Sequence, residues 1–164
     1  MTVTTRASSS LTHSVASLAT SSTRVAGRAS AAYDNSSNKD EGLGVSVLFT
    51  TGTSPTAGLI EAWLIQERED GTWPDIFTSS YSGSDGDFTV RSRDILRASA
   101  SLLGSVANDT TSNRSYILKQ QDACLLLGTR YVNKFFVWIT HSSGVNANST
   151  SGNHETIVKP VYWT

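Results

Sequence analysis

Apolar positions recur every second residue in "LGVSVLFT", where Leu43, Val45, Val47 and Phe49 fall on one face. That period of two predicts a half-buried strand. In "LIEAWLIQE" both faces are apolar, Leu59, Trp63 and Ile65 against Ile60, Ala62 and Leu64, which predicts a strand lying between two layers. "KFFVWITH" and "HETIVKPVYWT" read as two further strands, and the polar loop of residues 142–153 between them predicts a hairpin. Shorter strands are expected in "TRVAGRASAAY" (residues 23–33), near Phe88 to Val90 and in "SYILKQ".

"SRDILRASASLLGSVAND" carries two patterns at once. Ile95, Leu96, Ala98, Leu102, Leu103 and Val106 fit a helical face with Ser92 as its cap, while "ASLLGSVA" also suits a strand. The reading is a helical turn or two followed by a strand. "DACLLLG" is expected to form a brief helix closing one end of the body. Pro55 in "TGTSPTAG" excludes a central strand there.

Seven or eight short strands separated by turn residues predict an all-β fold: an antiparallel β-sandwich of jelly-roll type with one or two short helices. Residues 1–22 show little period and read as an extended N-terminal arm, with the sandwich domain over residues 23–164. On that reading, removing the arm leaves a folded body. A chain of 164 residues fits one domain, which buries roughly 70% of its unfolded surface.

Composition agrees with this class. Ser and Thr number 26 and 20, against 16% charged residues, so hydroxyls and amides rather than charges hold the surface in water. The net charge of −1 removes the electrostatic argument for nucleic acid. No stretch approaches the roughly 18 apolar residues of a membrane span. The charges are unevenly placed, however: Arg6, Arg24 and Arg28 precede the first acid, Asp34, and ten basic and fourteen acidic residues follow Arg28. A basic arm on an acidic body suggests an acidic partner surface for the arm.

Candidate chemistry is sparse. His141 and His154 flank the polar loop, and hairpin pairing would set them opposite each other as an exposed cross-strand pair. A zinc site needs a third ligand, and Glu155 points away from His154 in a regular strand. Ser is abundant but no G-x-S-x-G is present, and no glycine-rich turn with a placed Lys offers a phosphate site. Asp85 and Asp87 lack calcium-loop spacing, and Cys124 in "ACLLLG" reads as a small hydrophobe. The sequence therefore points to no enzyme, no metal and no cofactor. Trp63 and Trp138 are expected in the core, whereas Trp73, Tyr81, Tyr131 and Trp163 sit where one small domain would leave them at the surface. Exposed Trp can anchor a subunit interface or stack on a sugar.

The strings "SLATSSTRVAGRASAAYDNSSNK", "TGTSPTAGLIEAWLIQ", "WPDIF", "NDTTSNRSY" and "WITHSSGVNANSTSGNHETIVKPVYW" resemble small virion structural proteins of tailed bacteriophages, over about Ser17 to Trp163. The resemblance implies a capsid cement or decoration protein, made in the host cytoplasm and placed on the virion. Its partner would be the major capsid protein, and it would act as a homo-oligomer, dimer or trimer, with no nucleic acid or membrane partner. Arg6, Arg24 and Arg28 on the arm, with Trp73 and Trp163 as apolar anchors, are the expected partner contacts. The alternative is a tail-associated receptor-binding or carbohydrate-binding sandwich using Trp73, Tyr81 and the 142–153 loop.

Overall fold

Two antiparallel sheets form the body of the structure, a computed structural model that describes residues 2–163; the side chain of Trp163 lies outside the described set. The first sheet runs β1 (Val3–Thr5), β11 (Glu155–Trp163), β5 (Gly42–Thr50), β9 (Ser115–Asp122), with the two-residue β2 (Ser9–Ser10) also on β11. The second runs β7 (Gly86–Thr89), β3 (Ala26–Ala29), β10 (Lys134–His141), β6 (Gly58–Gln66), β8 (Ser101–Asn108), with β4 (Tyr33–Asp34) also on β10.

The chain moves between these sheets in a fixed way: β1 in the first, β3 in the second, β5 back, β6 and β8 across, β9 back, β10 across, β11 back. That order is the double-sheet jelly roll expected from the strand pattern. Leu43, Val45, Val47 and Phe49 on β5 face Ile60, Ala62 and Leu64 on β6 and Phe135, Val137 and Ile139 on β10 across the interior. The helix α1 (Arg93–Ser99) begins at Ser92, whose side chain accepts from Ile95 N–H, and gives way to β8 at Ser101. The helix α2 (Ala123–Leu126) is capped by Asp122 and buries Ala123 and Cys124. Burial pushes the Cys124 thiol up to about 11, as befits a packed hydrophobe.

The two-sided apolar run on β6 has a direct cause. Trp63 and Ile65, with Phe136 and Trp138 on β10, point away from the sandwich interior into a second core, closed by Ile76, Phe77, Tyr81, Val90 and Leu96. Residues on either side of β7, within 67–85 and 90–100, thus fold back as a third layer over the outer face of β3, β10 and the Trp63 end of β6.

Two expectations need correction. β10 and β11 are not a hairpin: β10 pairs β3, β4 and β6, whereas β11 pairs β1, β2 and β5. The 142–153 loop crosses from one sheet to the other, because each strand has a better-matched neighbour in its own layer. The N-terminal segment is extended, as expected, but it is laid into the body. β1 and β2 pair with β11, Val15 and Leu18 are buried, and Leu11 N–H, Ser17 N–H and Ser21 N–H bond to Thr156, Asn148 and His141 carbonyls. No structural break occurs at residue 22.

Candidate functional site

The three arginines of the N-terminal region are each paired within the molecule. Arg6 Nε lies 2.9 Å from Asp40 Oδ1, and its guanidinium stacks 4.4 Å from the centre of the Tyr162 ring. Arg24 Nε donates to Glu61 Oε1 at 3.1 Å. Arg28 grips Asp85 through Nε and Nη2 at 2.9 and 2.7 Å, and reaches Asp87 at 3.1 Å. The basic N-terminal residues and the acidic body seen in the sequence are therefore one complementary set, Arg6 pairing just beyond β1 and Arg24 and Arg28 at β3. This corrects the ground on which Arg6, Arg24 and Arg28 were assigned to a partner: their charges are already compensated.

The aromatic anchors are also placed differently. Trp73 is half-buried, edge-on to Tyr81 and Phe136 at 5.0 and 5.2 Å. Tyr81, expected at the surface, is buried, and its hydroxyl donates to the Ser30 carbonyl at 2.7 Å. Both belong to the third layer, which sequence reasoning read only as loop. Tyr131 is exposed at 41%. The Trp163 backbone pairs with Val3, and its side chain lies outside the described residues. The carbohydrate constellation does not assemble. Trp73 packs on Phe136, and the 142–153 loop begins beyond His141, about 17 Å further along the same strand at strand rise.

His141 and His154 are buried at the end of the interior, not exposed. Each of the chain's three histidines uses its ring in the same way. Nε2–H donates to a backbone carbonyl: Arg28 for His13, Leu18 for His141, Asn148 for His154, at 3.1, 3.0 and 2.9 Å. Nδ1 meets the Thr156 hydroxyl, the Ser143 hydroxyl or the Thr50 N–H, at 2.8, 2.9 and 3.4 Å. A carbonyl cannot donate, so the hydrogen is on Nε2 and the neutral ring fits. Burial lowers all three pKa values, that of His13 to about 4. The rings lock the N-terminal segment and the crossing loop to the sheets, and both nitrogens of each are occupied by protein.

What the molecule does leave open is the outer face of the first sheet. The third layer covers the second sheet's outer face over β3, β10 and the Trp63 end of β6, but here the register puts Val3, Thr5, Val161, Ile157, Leu48 and Ile117 on one face that no other layer covers. Ile117 is 66% and Val3 53% exposed. Gly42 and Gly44 contribute no side chains, leaving a depression of about 300 Å³ bordered by Gln120, Asp122 and Val161. Glu155, Lys159 and Lys119 dot the face with both signs of charge. Sequence reasoning placed Val3 and Thr5 in the arm and treated the others as ordinary strand positions. The signal was present, though, in Leu48 and Ile117 at positions where alternation calls for polar side chains.

No protein-family model matches the chain, and no curated protein matches it.

Proposed function

We propose that the protein is a bacteriophage virion component, a capsid cement or decoration protein that binds the major capsid protein lattice and stabilises the shell. The observation that carries this reading is the unequal treatment of the two sheets. One outer face is covered over its central strands by the segments flanking β7, while the other presents Leu48, Ile117, Ile157, Val161 and Val3 beside a shallow depression. A face with no covering layer, on which partly exposed apolar side chains alternate with scattered charges, suits adhesion to a protein surface. The resemblance of its turn-and-strand strings to tailed-phage virion proteins supports the same role.

The action is mechanical rather than catalytic. The rigid sandwich bridges neighbouring capsid subunits, and copies joined in a symmetric oligomer bind repeated lattice sites together, which multiplies a modest single-site affinity. The tail receptor or carbohydrate reading has less support, since Tyr81 is buried against Phe136 and Trp73 is packed edge-on against both rings, away from the 142–153 loop.

The test is co-sedimentation of purified protein with shells that lack it. Ile117→Lys with Leu48→Lys should abolish shell occupancy while leaving the melting temperature within a few degrees, because both side chains point outward. Full occupancy by this variant would overturn the assignment of the face, and no binding by the wild type would overturn the function.

A further inference from the structure

Sheet edges are the points at which β-proteins join or are kept from joining. An edge strand presents a row of unpaired N–H and C=O groups, and soluble proteins guard it with short length, charge, proline or a bulge. Three of this protein's edge strands are short: β1 has 3 residues, β2 has 2, and β7 has 4 and carries Asp87. β9 is longer, at 8 residues, but holds Lys119 in its middle.

β8 is different. It runs for 8 residues, SLLGSVAN, with no charged side chain and no proline, and β6 occupies only one of its sides. Its one irregularity lies between Ala62 and Trp63 of β6, at the Leu103 end. Beyond it, residues 104–108 lie in regular register against residues 58–62. Ser105 and Ala107 are exposed and small on the sheet face beside this edge, so they do not crowd the side chains of a second strand, and Leu102, 43% exposed, adds an apolar contact at one end.

We propose that β8 is a self-pairing edge: residues 104–108 align antiparallel with the same residues of a second copy across a twofold axis, joining the two second sheets into one. The choice of occupant follows from charge. β8 carries no charge to be set against its copy in any register, whereas a β9 pair with its axis at the middle of the strand sets Lys119 against Lys119. Antiparallel pairing then satisfies the outward backbone groups of both copies, and the contact is isologous, so it closes at two. This deepens the oligomer element of the proposed function, yet it holds or fails without any shell present.

The experiment is sedimentation equilibrium of the full chain over a concentration series. Wild type should show the mass of two chains. The doubly substituted Ser105→Lys/Ala107→Lys protein should show the mass of one, with an unchanged fold by circular dichroism, and so should Ser105→Glu/Ala107→Glu. Mixing the two variants should restore the two-chain mass, since opposite charges then face each other in any register. A wild type that stays at one chain, a wild type of three, a lysine variant that keeps the two-chain mass, or a mixture that stays at one chain would overturn the proposal. Shell binding by the Ile117 and Leu48 variant is read separately, so either failure is identified on its own.

Discussion

His141 and His154 both pack against the Phe49 ring, with centroids 4.9 and 5.5 Å from it, although His141 ends β10 of the second sheet and His154 immediately precedes β11 of the first. Phe49 is fully buried, so the contact draws the end of the second sheet, the crossing loop and the first sheet onto one aromatic ring. His13, on the N-terminal segment, completes the set through Thr156 and Arg28.

Acid should therefore loosen this end first. The folded state holds these rings neutral, and the unfolded chain protonates them below a pKa of about 6.5, so folding releases protons in the acid range. Stability is complete above that value and falls as pH drops through it toward about 4, the folded value for His13. For His13 alone the full loss is about 3 kcal/mol. Thermal melts between neutral pH and pH 4.5 check this, and His13→Gln should flatten the dependence.

Glu61 holds two cations in a nearly dry site, Arg24 at 3.1 Å and Arg93 at 2.6 Å, with the Trp63 indole N–H at 3.3 Å from the same carboxylate. Its side chain is 9% exposed. Glu61→Gln should cost about 3 to 5 kcal/mol, since two guanidiniums lose their counter-charge. Arg24→Ala should cost less, because Arg93 still pairs with the carboxylate. Urea unfolding of the three proteins reads both differences.

Gly27 marks a close approach. A Cβ there would lie 2.7 Å from the Trp138 ring and would also strike the Ile139 carbonyl. Gly27→Ala should thus destabilise by about 1 to 3 kcal/mol by overpacking, against the usual gain from replacing glycine. Differential calorimetry gives the sign directly.

Deleting residues 1–22 should not leave a stable body. The deletion removes β1 and β2 from the first sheet, the His13 ring contacts, and the buried Val15 and Leu18. The last two side chains alone account for roughly 4 kcal/mol of burial, a large part of a small domain's stability. Loss of the cooperative thermal transition in the truncated chain is the expected result.

The strands were largely legible in the sequence because side-chain alternation is local: Leu43 to Phe49 and the run from Phe135 to Ile139 announce their burial without knowledge of their partners. The Ser92 cap of α1 was legible for the same reason, whereas the Asp122 cap of α2 emerged only in the structure. Less so was the N-terminal segment. Val15 and Leu18 are isolated apolar residues among Ser, Thr and Ala, and an isolated Leu looks the same in a free arm as in a docked strand. Trp73 and Tyr81 misled in the opposite direction: their loop-like surroundings concealed that the loop itself is a layer.

The chain's own pattern thus determined that the protein is a sandwich of antiparallel strands with short capped helices, since period, turn residues and caps act over a few positions. Tertiary structure alone decided which strands are neighbours, that Arg6, Arg24 and Arg28 are answered by Asp40, Glu61 and Asp85, and which sheet face stays bare. Those outcomes depend on contacts between residues far apart in the chain, where complementarity of shape and charge is settled only once both surfaces exist.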